Sequence, residues 1–318
     1  MKKTLIASAV ALATFASAGV SAQEVNLPKI YGNIQLAAAG VDSDVTGSDI
    51  SDVRLDDNGS TLGFLHNHEV APGLTAFFKA EFEFDASSDT RGRVRTDEAY
   101  IGLKGDFGTI LAGNDDTLYE WTDVTDLYEF LGTPTELTGD EQENRQIRYE
   151  TPSFGGLTLG ASVNLTGDEE NYQFGAKYQL GDATTLALAV DSGHLRAQEL
   201  ADDLGVDVDR DAVIGFGLTH SLGDLTLAAQ YETVGGDFGG DLFGVLGAYS
   251  LGQTTLMASY HFNKWDDADE DTHTFSLQAL HNLSDSFYVY VEGQLVDNVD
   301  GADGDEEKTL ALGATYVF

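Results

Sequence analysis

Tyr172-Gln-Phe174-Gly-Ala176-Lys-Tyr178-Gln-Leu180 carries an apolar side chain at every second position, with Gln173, Gly175, Lys177 and Gln179 between them. A pleated strand sends successive side chains to opposite faces, so this segment reads as a strand with one oily and one polar side. Helical spacing does not fit it. The same period recurs in Leu74-Thr-Ala76-Phe-Phe78-Lys-Ala80-Glu-Phe82-Glu-Phe84, in Leu225-Thr-Leu227-Ala-Ala229-Gln-Tyr231-Glu and in Phe275-Ser-Leu277-Gln-Ala279. The chain predicts an all-β protein built from many such strands.

Two unlike kinds of connection separate them. Short ones, rich in Gly, Asp and Ser, lie at 71–73, 105–108, 152–156, 180–182, 222–224, 251–253 and 283–286. They have the chemistry of tight hairpin turns. Long acidic ones lie at 40–58, 85–93, 114–144, 166–170, 192–210, 235–241, 263–271 and 297–307. Short and long alternate strictly. Seven short turns join fourteen strands, and one more strand at each end makes sixteen.

Composition narrows the class. The 318 residues hold 16 Lys+Arg against 54 Asp+Glu, a formal charge of −38, which argues against nucleic acid as a partner. Cysteine is absent, so disulfides, thiolate metal sites and a Cys nucleophile are excluded. A hydrophobic fraction of 42% is too high for an acidic disordered chain. Residues 1–22 read as a secretory signal: Lys2 and Lys3, an apolar run from Leu5 to Ala18, then the small residues Val20-Ser21-Ala22. Cleavage there leaves 23–318 with 14 basic residues against 54 acids, a charge of −40. Past Ala22 no stretch approaches the ~20 apolar residues of a membrane helix.

An exported sheet with an apolar outer face needs lipid, and in lipid no backbone edge stays unpaired. Closure removes both edges. An even number of antiparallel strands, with tight turns on one rim and long loops on the other, is the outer-membrane pattern. Sixteen strands enclose too much space for side chains to fill, which predicts an aqueous channel.

The turn pattern, the long third loop and the terminal Leu312-Gly-Ala-Thr-Tyr316-Val-Phe318 resemble the general diffusion porins of Gram-negative outer membranes. Ile30-Tyr-Gly-Asn33 resembles that family's first strand, Ala99-Tyr-Ile-Gly-Leu103-Lys-Gly105 its fourth, and Arg148-Tyr-Glu-Thr-Pro-Ser-Phe-Gly-Gly156 the unit after its third loop. The likeness spans essentially all of 23–318. It implies a homotrimer of sixteen-stranded barrels, each narrowed by an inward-folded third loop at about 114–145. It also implies Tyr316 and Phe318 as the signal read by the barrel-assembly machinery. Thr125-Asp126-Leu-Tyr-Glu129-Phe130-Leu-Gly132 resembles the family's acidic tip T-D-x-x-P-E-F-G-G, one residue shorter and without the proline. The constriction role passes to Asp126 and Glu129; Asp115, Asp116, Glu120 and Asp123 are candidates by location.

If the apolar face meets lipid, the other parity lines water. That places Asn33, Gln35 and Thr61 inside, then Lys79, Glu81, Glu83 and Asp85, then Arg95 and Asp97 with Arg91 and Arg93 above them, then Gln146, Arg148 and Glu150. Asn33, Thr61 and Asp97 stand where the family often has basic residues. Acids then outweigh cations, which predicts cation preference.

Catalysis finds no support in the spacing. His66-Asn-His68 shares a strand face but lacks a third ligand, and His220-Ser221 points to opposite faces. Asp300–Glu307 lacks calcium-loop spacing, so no metal or cofactor is expected. The partners expected are outer-membrane lipid and lipopolysaccharide, ions and small hydrophilic solutes. Two alternatives stand: a substrate-selective porin with Tyr119, Trp121, Tyr128, Tyr288 and Tyr290 as a sugar or anion track, and a structural or adhesive barrel.

Overall fold

The computed structural model describes residues 27–45, 47, 50, 52–88, 94–132, 143–165, 170–193, 205, 208–209, 211–237, 239–266, 268, 270–299 and 304–318. The signal segment, Arg91 and Arg93 lie outside them.

The wall is one closed antiparallel sheet. Its first strands are β1 (Lys29–Ser43), β2 in two pieces (Arg54–Asp57 and Ser60–Ala71), β3 (Leu74–Phe84), β4 (Arg95–Gly105), β5 (Gly108–Asp116) and β6 (Glu143–Glu150). Next come β7 (Leu157–Leu165), β8 (Glu170–Leu180), β9 (Thr184–Asp191), β10 (Val213–Leu222) and β11 (Leu225–Val234). The circuit ends with β12 (Gly240–Leu251), β13 (Thr254–Trp265), β14 (Thr272–Ser284), β15 (Phe287–Asp297) and β16 (Glu306–Val317). Each strand pairs with its sequence neighbours, and β1 pairs with β16 from Asn33↔Val317 to Ser43↔Glu307. Sixteen strands therefore close with no free edge, as the turn count predicts. All seven short connections are tight turns, and Gly181, Gly223 and Gly252 supply left-handed φ of 63–64° in three of them.

The alternation sorts side chains as expected. Ile101 (67% exposed), Leu277 (63%), Leu312 (63%) and Phe174 (60%) point outward, whereas Gln35, Gln230 and Glu292 point inward and are at most 2% exposed. So wide an apolar outer surface is stable only in lipid, where a charge at mid-depth costs roughly 2–4 kcal/mol.

Two irregularities aim side chains into the interior. Between the pieces of β2, Gly59 takes φ 83° and the Asp57 carboxylate accepts the amides of Gly59 (2.9 Å) and Ser60 (3.0 Å). At this kink the Asn58 amide still donates to the Gln35 carbonyl on β1 (3.0 Å), and its side chain turns toward the third loop. In β4 the register slips against β3: Phe82 faces Thr96, but Ala80 faces Ala99. Asp97 and Glu98 thus share the place opposite Glu81, a bulge that reverses parity for the rest of the strand.

Candidate functional site

The third loop enters from Asp116, and its described part, 117–132, is pinned to the inner wall at four points. At the first, the Leu118 amide donates to Gln173 Oε1 on β8 (2.9 Å), starting a 3₁₀ turn, Leu118–Trp121. Gln230 Oε1 on β11 forms the second by accepting the amides of Val124 (3.0 Å) and Thr125 (3.3 Å) and the Thr125 hydroxyl (3.0 Å). The Tyr128 hydroxyl makes the third, meeting Ser259 Oγ on β13 (2.9 Å) and donating to the Ser276 carbonyl on β14 (2.8 Å). Burial pushes this phenol up to about 12, so it remains a neutral donor.

The fourth point is the strongest. Glu292 on β15 accepts three consecutive loop amides, Glu129 at 2.7 Å on one oxygen, Phe130 at 3.0 Å and Leu131 at 2.9 Å on the other. Successive N–H groups converging on a carboxylate make an anion nest, and such bonds are about twice as strong as neutral ones. Around it, Asn58 Nδ2 donates to the Glu129 carbonyl (2.8 Å) and to Tyr290 Oη (2.9 Å), while the Tyr288 hydroxyl donates to Glu129 Oε2 (2.7 Å). Asp126 (3% exposed) and Glu129 (6%) therefore sit in the loop–wall seam. Asp123 is likewise buried, and Glu120 is half-buried.

Strands β3–β6 carry the charged wall. Lys79 meets Glu98 at 2.5 Å and Glu81 at 3.8 Å. Arg148 pairs with Asp115 and, at 3.0 Å, with Glu150, and its guanidinium also donates to the Asp116 carbonyl. Arg95 holds Glu83 at 2.7 Å nearer the mouth. These contacts join three cations to five carboxylates, a balance of −2 before Asp97 is added. The β5 and β6 ladders reach Asp116 and Glu143, so Asp115 belongs to the wall rather than to the loop. Above, Asp56, Asp57, Glu83, Asp85 and Arg95 line a cavity of about 710 Å³. Hydrogen bonds from Ser87 hold Asp85 below the usual carboxylate range, so the mouth stays negative.

Sequence parity sets Lys79, Glu81, Arg95, Asp97 and Arg148 on one wall; in the structure Lys79 pairs with Glu81, while Arg95 and Arg148 pair with other carboxylates. Parity missed Glu98, which only the bulge turns inward. It also passed over Lys177, whose ammonium lies 4.5 Å from the centre of the Trp121 ring, although the period of two already set Lys177 on the polar face. Asn58, Gln230 and Glu292 gave no signal, since their loop partners lie 71 to 163 residues away in sequence. His66 and His68 do share a face, the outer one, with ring centroids 6.3 Å apart. Among the described residues no three metal-ligating groups cluster. Tyr316 and Phe318 also face outward, and Phe318 exchanges backbone hydrogen bonds with Gly32 on β1 (3.0 and 3.1 Å).

Comparison with known proteins supplies the frame for this interior. A family model described as Gram-negative porin matches residues 7–301. A monosaccharide porin of Halomonas sp and a major outer membrane protein of Halomonas elongata are each 32% identical, with both chains covered in full. Among solved structures, the anion-selective porin from Comamonas acidovorans superposes with a TM-score of 0.74 at 18% identity, covering 92% of this chain and 99% of that one.

Proposed function

The chain belongs to the Gram-negative porin family and resides in the outer membrane, and from that premise we propose a water-filled, cation-preferring channel for passive diffusion of ions and small hydrophilic solutes. The solute path runs between the third loop, which holds to β8–β15, and the charged wall of β3–β6. One observation carries the cation preference: among the described residues, the cations paired on that wall are outnumbered by the carboxylates they meet, three against five. The field left over is negative and attracts cations. Glu129 acts by fixing the loop to Tyr288, and Asp126, buried in the same seam, adds charge behind it. In a potassium chloride gradient the reversal potential is expected to favour potassium; a potential favouring chloride would overturn the reading.

A sugar-selective pore is the second reading, favoured by the monosaccharide porin relative and by Trp121, which stays half-buried beside Lys177. Against it, Tyr128, Tyr288 and Tyr290 spend their hydroxyls on loop–wall contacts rather than on an open track. A monosaccharide that interrupts single-channel current at low concentration would decide for it.

We propose that the barrel assembles as a homotrimer. Imidazoles suit lipid poorly, and His66 with His68 beside Phe78, Ile101 and Leu103 suits a protein neighbour better. Residues 1–22 act as the export signal, and Tyr316 with Phe318 as the mark for the assembly machinery. Deleting Phe318 is expected to lower folded barrel in the outer membrane, read as the heat-modifiable band on gels. Unchanged yield would remove that role.

A further inference from the structure

The inner wall contains glycines whose backbone does not require them. Gly160 on β7, Gly175 on β8, Gly215 and Gly217 on β10 and Gly244 on β12 all lack left-handed φ. Glycine inside a strand weakens it, and where no bulge or turn explains it, it marks a close approach of other atoms. All five lie on the inward parity, and all five face the third loop. A methyl at Gly160 would stand 2.6 Å from Leu118 Cδ2, and one at Gly175 2.9 Å from the Trp121 ring. At Gly215 it would meet Thr122 Oγ1 at 2.6 Å and Tyr119 Oη at 2.7 Å, at Gly217 the Thr122 carbonyl at 2.9 Å, and at Gly244 both His261 Cδ2 on β13 at 2.6 Å and Thr125 Oγ1 at 2.7 Å. Loop residues 118–125 thus lie in a trough made by missing side chains, between the clasps at Gln173 and Gln230.

We propose that these five glycines are positioning residues that seat the third loop flush with the wall and so set the width of the solute path. The inference rests on reading the interior as that path. The wall strands are hydrogen-bonded on both sides, whereas the loop is held at separate points, so an added methyl displaces the loop toward the lumen. Restoring ordinary contact from 2.6–2.9 Å to about 3.8 Å moves it by about 1 Å.

The test is single-channel recording of the full-length protein in planar bilayers. Relieving a clash of about 1 Å at Gly175→Ala or Gly215→Ala is expected to lower the single-channel conductance. Gly175→Ala combined with Trp121→Ala should regain it, because the colliding ring is gone. Gly293→Ala serves as control: its methyl would meet only Thr309 O, at 3.9 Å, and conductance should hold. An unchanged Gly175→Ala pore, or a control that falls equally, overturns the proposal. Should Gly175→Ala fail to fold, Trp121→Ala alone must widen the pore, and an unaltered step overturns it. A wild-type protein without any conductance would instead sink the channel reading itself.

Discussion

Replacing Glu292 by alanine is expected to set the tip of the third loop loose while leaving the barrel closed. Three amides lose their acceptor at once, and each bond to a charged partner contributes about 1.5–3 kcal/mol. The Gln278 side chain, which donates to the same carboxylate, loses a partner too. The wall does not depend on that side chain, because the backbone of Glu292 sits in register with Gln278 and Ala311. Planar-bilayer recordings should show scattered conductance levels in place of one, and larger neutral solutes should pass. Glu292→Gln keeps one carbonyl oxygen but turns an amide toward the nest, so it should fall between the two. A Glu292→Ala pore with a single wild-type level would mean that the loop is held elsewhere.

Lys79→Met is expected to sharpen cation preference, and Glu98→Gln to blunt it. Lys79 bridges Glu81 and Glu98, and it lies in the wall facing the loop. A unit charge about 4 Å from a passing ion in water contributes about 1 kcal/mol, of opposite sign for potassium and chloride, so each change should alter the potassium-to-chloride permeability ratio by up to about 25-fold. The two shifts carry opposite signs, which separates charge from shape. Ratios that moved in the same direction would show that pore geometry, not the wall field, governs selectivity.

The architecture was legible because it is written locally. Period-two segments such as Tyr172–Leu180 and the strict alternation of short and long connections depend on neighbours in sequence, and they yield strand number, parity and rim assignment. Parity failed only where the backbone departed from it. Nothing in Asp97-Glu98 announces a bulge, because the slip arises from pairing with β3, and so period-two parity alone does not turn Glu98 inward. The third loop was visible as an acidic insertion, and its wall partners were not. Gln230 and Glu292 read as ordinary polar residues on ordinary strands, since what they hold comes from more than a hundred residues away. Local pattern specifies the cylinder; long-range hydrogen bonds specify the aperture.

The pairing of β1 with β16 has a consequence for the order of events. Asn33 and Val317 are ladder partners although 284 positions separate them, so the earliest-made wall segment waits for the latest. Until the sixteenth arrives, the first presents an open hydrogen-bonding margin that neither lipid nor a tight turn can satisfy. Such remote partners make closure slow and aggregation-prone for an unassisted polypeptide. The nascent molecule is therefore most vulnerable while that margin is open, and the risk ends only when the ring shuts.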